Sequence, residues 1–426
     1  MIVLLGPLSE IVPCVTILSM VTSCPAVPVR RLWLSVLCGY LALGATIQAL
    51  PTFVPFRFGG GALASGTAVG AAFLATALAR PFAGRFADAG RARPVVMLGG
   101  VLGALGGLGH LWAPSFTVLI VARLLMGAGE AALFSGAIPW VLADTPAARR
   151  GRVAGWFGLS MWGGLAAGPL LATAFAAKGF TAVWTAVVAL GLISAALVFT
   201  TRGQPAVSAE IPPLPRRWSD IIPPGASLPG LVFGLSSYGY GTVAALLVLH
   251  LRTNAIGGEG YALAVFAAAF LLNRAVSSPA VDRFGGRAVG AMSVLTEAIG
   301  LVLIATTHNL ALALIGVVLA GAGVALMYPA TVAITLGRTG ALRPGTSVGV
   351  MTSYWDVGIM VAGPLGGAIA GGLSYPLAFL VAAASCLLSL VFITTMLRSR
   401  GRREVSAQPA AQLAQPAPAP NPSPGS

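Results

Sequence analysis

The stretch Ala167-Gly168-Pro169-Leu170 recurs as Ala362-Gly363-Pro364-Leu365, 195 residues later. Two further short motifs repeat at an offset of 194: Gly127-Ala128-Gly129 with Gly321-Ala322-Gly323, and Asp88 of Gly84-Arg-Phe-Ala-Asp88 with Asp282 of Ser278-Pro-Ala-Val-Asp282. Unrelated halves would have no reason to keep their small-residue turns in register over this distance. The chain is therefore predicted to contain two copies of one structural unit.

The composition of the chain requires a membrane. Of its 426 residues, 57% are hydrophobic and 8% are charged, whereas soluble domains carry about 25% charged residues. A helix crosses the hydrocarbon core with about 20 apolar residues. The sequence predicts twelve such spans, six in each half: Leu32–Val54, Leu63–Ala83, Pro94–Trp112, Phe116–Leu142, Val153–Ala176, Thr181–Thr200, Leu228–Leu251, Tyr261–Val281, Ala288–Thr307, Ala311–Leu336, Val348–Leu373 and Pro376–Leu397. The expected fold class is an all-α membrane protein with twelve transmembrane helices in two pseudo-symmetric six-helix bundles.

The net charge of +14 follows a membrane topology rather than a surface for nucleic acid. With the N-terminus inside, 21 of the 25 basic residues fall in cytoplasmic segments, which agrees with the known excess of Lys and Arg in cytoplasmic loops. Arg80 and Arg274 are counted among these cytoplasmic residues. The sequence therefore predicts a multi-pass protein of the cell inner membrane with both termini cytoplasmic and no nucleic-acid partner.

Composition divides the chain into five predicted segments: a poorly ordered N-terminal extension (1–30), a first six-helix bundle (31–200), a cytoplasmic linker (201–228), a second six-helix bundle (229–398) and a disordered C-terminal tail (399–426). Pro7, Glu10 and Pro13 interrupt any helix in the extension, and no positive charge precedes it. This favours a loose extension, or a start at Met20, over a signal peptide or a thirteenth span. The linker and the tail are rich in proline, which is typical of segments without a packed core.

A basic loop motif follows the second and the eighth predicted spans. In the first copy Gly84 and Asp88 are followed by Arg93, and the second copy reads Asp282-Arg283-Phe284-Gly285-Gly286-Arg287. Together with twelve spans in two repeated halves, these residues resemble the Major Facilitator Superfamily of transporters over roughly residues 31 to 398. The resemblance implies the major facilitator fold and alternating access around a central pocket.

Motifs inside the spans are also similar to that family. Arg123-Leu-Leu-Met-Gly127-Ala-Gly129 in the fourth span is similar to its intramembrane arginine motif. Gly155, Gly164 and Gly168-Pro169 in the fifth span resemble the motif associated with export by antiport. Arg80-Pro81-Phe82-Ala83-Gly84 looks like a bacterial branch identified as arabinose or drug efflux permeases. The resemblance therefore implies export of a small molecule.

The loop acids Asp88 and Asp282 lie beside arginines, so they can form charge-assisted hydrogen bonds between helices at the cytoplasmic mouth. We expect such pairs to close an inner gate in one conformation and to open in the other, with a solvated loop acid as the alternative. The candidate gating residues are Gly84, Asp88, Arg93, Asp282, Arg283 and Arg287. The Gly-Pro pairs of the fifth and eleventh spans bend a helix, with close helix packing as the alternative role for their glycines. The candidate hinge residues are Gly164, Gly168, Pro169, Gly363 and Pro364.

Four charged residues lie deep inside predicted spans, where an ionised side chain costs at least about 2.5 kcal/mol and usually serves function. They are Arg123, Glu130, Glu297 and Asp356. Arg123 and Glu130 are seven residues apart, so they share one helix face about 10 Å apart along the axis. None of these charges recurs in the other repeat, which favours function over a scaffold role. The hypothesis is that Glu130 and Asp356 carry protons, with Arg123 modulating them; structural partnering or capping is the alternative, and Glu297 is a lone fourth candidate.

Substrate contacts are expected from the spans that line the central cavity of this fold. The candidates are Tyr40, Gln48, Tyr238, Tyr240, Tyr328 and Trp162. Aromatic rings with polar tips suit either stacking on sugar rings or loose binding of drug-like compounds. Each of them alone is more often a packing residue.

These features favour a proton-coupled exporter of a small organic molecule, either drug-like or a sugar. Uptake by proton symport is the nearest alternative, because the same charges serve either direction. An integral membrane enzyme is a more remote alternative, since the chain has scattered histidines and no Cys/His cluster. We expect no enzymatic activity, no cofactor and no bound metal. The expected partners are the lipid bilayer, protons and the small-molecule substrate, with the protein itself monomeric.

Overall fold

A computed structural model describes residues 27–143, 145, 147–201, 225–277, 279–339 and 344–413. Within these residues all regular secondary structure is helical. The predicted N-terminal extension up to residue 26, the linker residues 202–224 and the tail from residue 414 lie outside the described part. The segment boundaries predicted for those regions therefore stay predictions.

The first half contains the first six spans as long helices. They are Val29–Phe58, Ala62–Phe86, Ala92–Trp112, Phe116–Ala143, Ala147–Ala176 and Phe180–Phe199. A five-residue turn, Ala87–Arg91, joins the second and third spans. Because the connections between these helices are short, sequential helices run antiparallel.

The second half repeats this order. Its helices are Ser227–Thr253, Ala262–Ser277, Gly286–Thr306, Leu310–Ala325 with its continuation Met327–Thr339, Pro344–Gly372 and Tyr375–Leu413. Ten helices of the described chain are long and apolar enough to cross a membrane, and Ala262–Ser277 is a shorter apolar helix. The predicted all-α fold with two six-helix bundles is confirmed. The twelfth span is described as helix to Leu413, past residue 399, where the tail was predicted to begin.

Equivalent glycines make equivalent contacts in the two bundles, which we call lobes. A Cβ atom on Gly127 would collide with the carbonyl of Ala72, and one on Gly321 would collide with the carbonyl of Phe266. Ala72 and Phe266 are themselves 194 residues apart. In a bilayer, small residues let helix backbones approach closely enough for dispersion to hold them together. The repeat in the sequence is therefore a repeat in helix packing.

A glycine with a positive φ follows the loop motif in each half. Gly90 has φ 78° and ψ 9°, whereas Gly285 has φ 80° and ψ 148°. Glycine adopts both conformations without a steric penalty. The two turns therefore both require glycine but differ in conformation.

The lobes meet closely at one end of the bundle. We call the end that holds the connections after the even-numbered spans the linker face, and the other end the opposite face. Toward the opposite face, Gly66 and Gly70 of the second span pack on Gly363 and Met360 of the eleventh, with no room for side chains between them. Near the same face, the Thr173 hydroxyl donates to the carbonyl of Gly260 at 3.0 Å.

Toward the linker face the lobes are less closely associated. Within the described chain, the backbones of the fourth and tenth spans pack extensively only against helices of their own lobes. The conformation is therefore one in which the opposite face is closed by the second and eleventh spans. The centre of the molecule, between the two faces, holds the polar and aromatic residues described next.

Candidate functional site

An ion pair joins the two lobes at the centre of the molecule. Arg80 of the second span donates from Nε to Oδ2 of Asp356 at 2.5 Å and from Nη2 to Oδ1 at 3.3 Å. Asp356 lies in the middle of the eleventh span, and its side chain is 1% exposed, against 11% for Arg80. A bidentate pair of this kind fixes the carboxylate in both position and orientation.

Glu130 of the fourth span lies beside this pair without a direct partner. Its side chain is 3% exposed, and its Oε1 has no hydrogen-bond partner among the described residues. Arg80, Arg123 and Asp356 all lie within electrostatic reach of it. Tyr40 of the first span donates to the backbone carbonyl of Glu130 at 3.3 Å and also neighbours Arg80. The predicted proton carriers Glu130 and Asp356 therefore lie in one central cluster.

Arg123 lies seven residues from Glu130 and was expected to modulate the proton carriers, but its hydrogen bonds go elsewhere. It donates to the carbonyls of Ala68 at 2.8 Å and Val69 at 3.3 Å on the second span, and to Sδ of Met126 at 3.3 Å. These bonds tie the fourth span to the second within one lobe. In the described part of the chain it forms no ion pair with Glu130.

Glu297 lies apart from the central cluster. Its Oε2 accepts a hydrogen bond of 2.6 Å from Ser236, and Gly239 and Cys386 pack around it. These neighbours belong to the seventh and twelfth spans, so the carboxyl is buried inside the second lobe. Glu297, which the sequence analysis treated as an isolated carboxyl group, therefore has a hydrogen-bond partner in its own lobe.

An aromatic cluster fills the interface between the lobes. The ring of Trp162 on the fifth span lies 5.5 Å from Phe270, 5.7 Å from Tyr328 and 5.2 Å from Trp355. Tyr240 of the seventh span stacks on Trp355 at 5.2 Å. The predicted contact residues Trp162, Tyr240 and Tyr328 are therefore brought together from three spans.

Arg274 of the eighth span reaches into this cluster. Its guanidinium lies 5.3 Å from the ring centroid of Trp162, 5.4 Å from Tyr328 and 6.0 Å from Phe270. It also donates to the carbonyl of Ala325 at 3.0 Å. Its charge is therefore held by cation–π contacts and a backbone oxygen.

A small cavity of about 30 Å³ lies against the aromatic cluster, between the lobes. Its lining is drawn from the first, fifth, seventh and eighth spans: Ile47, Trp162, Leu165, Ala166, Pro169, Tyr240, Val243, Ala244, Leu263, Phe266, Ala267 and Phe270. Only Trp162 and Tyr240 among these lining residues carry a polar side-chain atom. The indole nitrogen of Trp162 has no hydrogen-bond partner in the described chain.

Two of the predicted substrate contacts are buried outside this lining. The Gln48 Oε1 atom and the Tyr238 hydroxyl are both buried without a partner among the described residues. Tyr40 serves the Glu130 cluster rather than the cavity wall. Of the six predicted contact residues, Trp162 and Tyr240 line the cavity, Tyr328 lies in the adjoining aromatic cluster, Tyr40 lies at the carboxylate cluster, and Gln48 and Tyr238 occupy separate buried positions.

The predicted gating residues lie at the linker face. Arg93 donates to the carbonyl of Phe199 at 2.8 Å, within its own lobe. Asp282 and Arg283 are exposed, and the Arg283 guanidinium lies 5.3 Å from the ring of Phe284. The side chain of Asp88 lies outside the described residues, and Gly84 and Arg287 are half-buried. A gating role for these six residues remains a prediction.

The predicted hinge residues lie within continuous helices. Gly164 and Gly168 pack on the first span, against Tyr40 and Gly44, whereas Gly363 packs on Gly66 across the lobe interface. The fifth span is helical through Pro169 and the eleventh through Pro364. Equivalent Gly-Pro pairs therefore serve contacts within one lobe in the first half and between lobes in the second.

Arg80 and Arg274 are members of this central site that the sequence analysis did not include among its candidates. Their assignment to cytoplasmic segments is wrong, because both guanidinium groups lie among mid-span residues at the lobe interface. Counting charges by segment places an arginine by its backbone position, while its long side chain carries the charge elsewhere. The offset of 194 was a usable signal, because it relates Arg80 to Arg274 and Asp356 to Trp162.

Comparisons with known proteins agree with this architecture. A family model described as the Major Facilitator Superfamily matches residues 32–273 and 230–422. An MFS-type transporter of Salmonella typhimurium, STM4428, is 30% identical over 377 residues, which cover 86% of this chain and 96% of the relative. YhhS of Escherichia coli K12, also an MFS-type transporter, is 28% identical over 369 residues, covering 85% of this chain and 90% of YhhS.

Solved structures share the fold at low sequence identity. A point mutant of the nucleoside transporter NupG superposes with a TM-score of 0.68 at 11% identity, covering 86% of this chain and 99% of NupG. A bacterial homologue of the human lysosomal transporter Spinster, in an inward-facing and occupied conformation, also gives a TM-score of 0.68, at 15% identity and covering 87% and 96%. At these identities the likeness concerns the fold alone.

Proposed function

Because the chain belongs to the Major Facilitator Superfamily, we propose that it exports a small, largely apolar organic molecule in exchange for protons. It is a multi-pass inner-membrane transporter of a small solute. Alternating access moves the closure of the lobes from the opposite face to the linker face and back. The proposal adds proton coupling, the direction of transport and the substrate class.

The main support for proton coupling is that the carboxyl group of Glu130 is buried and that its Oε1 has no hydrogen-bond partner among the described residues. An ionised carboxylate that is 3% exposed and lacks a partner for Oε1 carries a large desolvation cost. A proton removes that cost in the conformation described here. When water reaches the cluster from the linker face, where the lobes are less closely associated in this conformation, the proton can leave on that side.

Asp356 supplies the second proton position in this scheme. In the described conformation its charge is balanced by Arg80, which belongs to the other lobe. A movement that separates the second span from the eleventh leaves the buried carboxylate without its counter-charge. Breaking a buried pair in this way is costly, so Asp356 takes up a proton from the opposite face once that face has opened. It gives the proton up toward the linker face when the lobes return and Arg80 pairs with it again.

The cavity lining favours an apolar aromatic substrate over a sugar. A sugar site needs several convergent polar groups that fix its hydroxyls, whereas ten of the twelve lining residues are purely apolar. Trp162 and Phe270 offer ring faces for stacking, and the indole nitrogen of Trp162 offers one free donor. The chemistry of this lining therefore suits drug-like compounds better than sugars, and binding requires the lobes to separate, because the cavity of about 30 Å³ is the size of about one water molecule.

The proposed direction requires the linker face to be cytoplasmic. Several arginines belong to backbone segments near that face, as expected for the cytoplasmic side of a membrane protein. They are Arg85, Arg91, Arg93, Arg283 and Arg338. Export is favoured over uptake by the resemblance of Gly155, Gly164 and Gly168-Pro169 to the family's motif associated with export by antiport. Asp88 and Asp282 are proposed to close this face in the alternate conformation.

The substrate class is tested by thermal shift on the purified protein with two panels, one of apolar aromatic compounds and one of monosaccharides and disaccharides. A ligand that binds the folded state raises the melting temperature. We expect stabilisation by members of the aromatic panel. Stabilisation by sugars with no response to any aromatic compound overturns the substrate class.

Direction and coupling are tested with right-side-out and inverted vesicles under an imposed pH gradient, using the aromatic compound that binds best. Export by antiport predicts accumulation in inverted vesicles with an acidic interior. Accumulation in right-side-out vesicles with an acidic exterior favours proton symport for uptake. Equal transport with and without the gradient overturns proton coupling.

A further inference from the structure

Two arginines at equivalent positions of the repeat cross the lobe interface. Arg80 and Arg274 are 194 residues apart, and so are the residues that they meet, Trp162 and Asp356. Arg80 of the first lobe bonds Asp356 of the second, and Arg274 of the second lobe lies over Trp162 of the first. The pseudo-two-fold relation of the lobes thus produces the same interlobe contact twice.

The two contacts differ in the chemistry of the partner. Asp356 is titratable, so a proton can switch its attraction for Arg80 off. Trp162 attracts Arg274 through the quadrupole of its ring, which does not change with protonation. One contact is therefore switchable and its counterpart is permanent.

We propose that Arg80 is the positioning residue that couples the charge of Asp356 to the arrangement of the lobes, while Arg274 on Trp162 is the unswitched counterpart that keeps them in register. This inference rests on the proposed function and adds the residue that makes coupling obligatory. Without Arg80, Asp356 can change protonation state while the lobes stay in place. With Arg80, the loss of the charge and the release of the second span from the eleventh occur together.

Glu130 provides an alternative partner for Arg80 within its own lobe. It lies within electrostatic reach of Arg80, and Tyr40 neighbours both residues. When Asp356 is neutralised, the guanidinium can turn from the second lobe to the protonated Glu130, whose carboxyl oxygen still accepts a hydrogen bond, so the switch takes up one proton in total. The hydrogen bond then lies inside one lobe instead of between two, which frees the interface to open.

Among the described residues, Glu130 is the other ionisable acid beside Asp356, and Arg80 is the cation that contacts it. Arg80, Tyr40 and Glu130 face it from the second, first and fourth spans. Tyr240 of the seventh span stacks on the neighbouring Trp355, and Tyr328 of the tenth packs on Trp162. The twelfth span has no Asp, Glu, Lys, Arg or His between residues 375 and 395. Arg80 is therefore the cation that responds to Asp356.

A disulfide reporter across the closed face tests this inference. The four native cysteines are replaced by alanine, and Thr173→Cys and Gly260→Cys are introduced where a hydroxyl already meets a carbonyl at 3.0 Å. A Cβ at Gly260 meets no neighbouring atom within 4 Å, so the cysteine fits. In membranes treated with copper phenanthroline, the cross-linked fraction reports how often the opposite face is closed, and it is measured from acid to neutral pH.

We expect the cross-linked fraction of the reporter protein to fall as the pH falls, because protonated Asp356 releases Arg80. Arg80→Gln and Asp356→Asn alone should each lower the fraction about twofold or more at neutral pH, since each leaves one buried charge unpaired. The double variant Arg80→Gln/Asp356→Asn restores closure but not its response to pH. Arg274→Gln, the matched control, keeps the pH response.

Two results overturn the inference. The first is a cross-linked fraction that changes with pH as much in Arg80→Gln, or in the double variant, as in the reporter protein. The second is a loss of this pH response in Arg274→Gln that equals the loss in Arg80→Gln. The failure of the proposed function has a separate signature. If transport by the wild type does not depend on the pH gradient, proton coupling is wrong. If wild-type transport does depend on the gradient but the reporter responds to pH in Arg80→Gln as it does without that substitution, only the role of Arg80 is wrong.

Discussion

Arg80 and Asp356 are 276 residues apart in sequence, yet they form a bidentate ion pair between the two lobes. The pair lies in a membrane protein interior, where a charge without a partner is far costlier than in water. The two partners belong to bodies that must separate during alternating access. The pair is therefore the place where we propose that a change of charge acts directly on the lobe arrangement.

Arg123 is predicted to stabilise the first lobe. Replacing it by glutamine removes its bonds to the carbonyls of Ala68 and Val69, and bonds from a charged donor contribute about 1.5–3 kcal/mol each to the free energy of unfolding. We expect a lower melting temperature in detergent with proton-driven transport retained per folded molecule. Lost coupling at an unchanged melting temperature would instead assign Arg123 to proton movement.

Glu297→Gln is predicted to be nearly neutral for both stability and transport. The glutamine amide oxygen can still accept the hydrogen bond from Ser236, and the buried site keeps its shape. Thermal unfolding and gradient-driven transport of the purified variant check this expectation. A loss of gradient dependence would bring Glu297 into the coupling mechanism and out of its structural role.

Gly363→Ala is predicted to weaken closure of the opposite face. Its new Cβ would collide with the carbonyl of Gly66 on the second span, and overpacking of this kind costs about 1–3 kcal/mol. Gly371→Ala in the same helix is the matched control, because a Cβ there meets no atom within 4 Å. The disulfide between residues 173 and 260 should decrease in the first variant and stay at the reference level in the second. Equal cross-linking in both would show that this glycine contact does not hold the lobes together.

Trp162→Leu is predicted to weaken binding of aromatic compounds about two- to tenfold, because an aromatic pair contributes about 0.5–1.5 kcal/mol beyond burial. Trp184→Leu is the control, since Trp184 packs on Phe53 and His110 away from the cavity. Both variants lose a buried indole, so both lower stability. Only the first should weaken ligand affinity in thermal-shift titrations, and an equal effect of both would place the ligand elsewhere.

Much of the fold was predictable from the sequence because repeated small residues encode repeated contacts. Gly127 and Gly321 pack on backbone carbonyls that are themselves related by the same offset of 194. The length and hydropathy of the sequence predicted twelve spans, and each has a helix in the described chain. Ten of these helices are long and apolar enough to cross a membrane, and Pro344–Gly372 is outside that set. Ala262–Ser277 is shorter than the predicted Tyr261–Val281, because the helix ends at Ser277 before a separate short helix.

The candidate site was predictable only in part. Glu130 and Asp356 were identified by their burial cost, which depends on position along a span alone. The contacts of Arg80 and Arg123 depend on which helix lies opposite, and hydropathy carries no information about that. The residues in closest contact with the predicted acids, Arg80 and Tyr40, were consequently assigned to a loop and to substrate binding.

We propose that Glu130 and Asp356 carry the protons that drive transport. The most direct test is transport of the best-bound aromatic compound into inverted vesicles with an acidic interior, comparing the wild type with Glu130→Gln and Asp356→Asn, and with Glu297→Gln as the control. We predict that the first two variants lose gradient-driven accumulation while Glu297→Gln keeps it. Full gradient-driven accumulation in both Glu130→Gln and Asp356→Asn would contradict the claim.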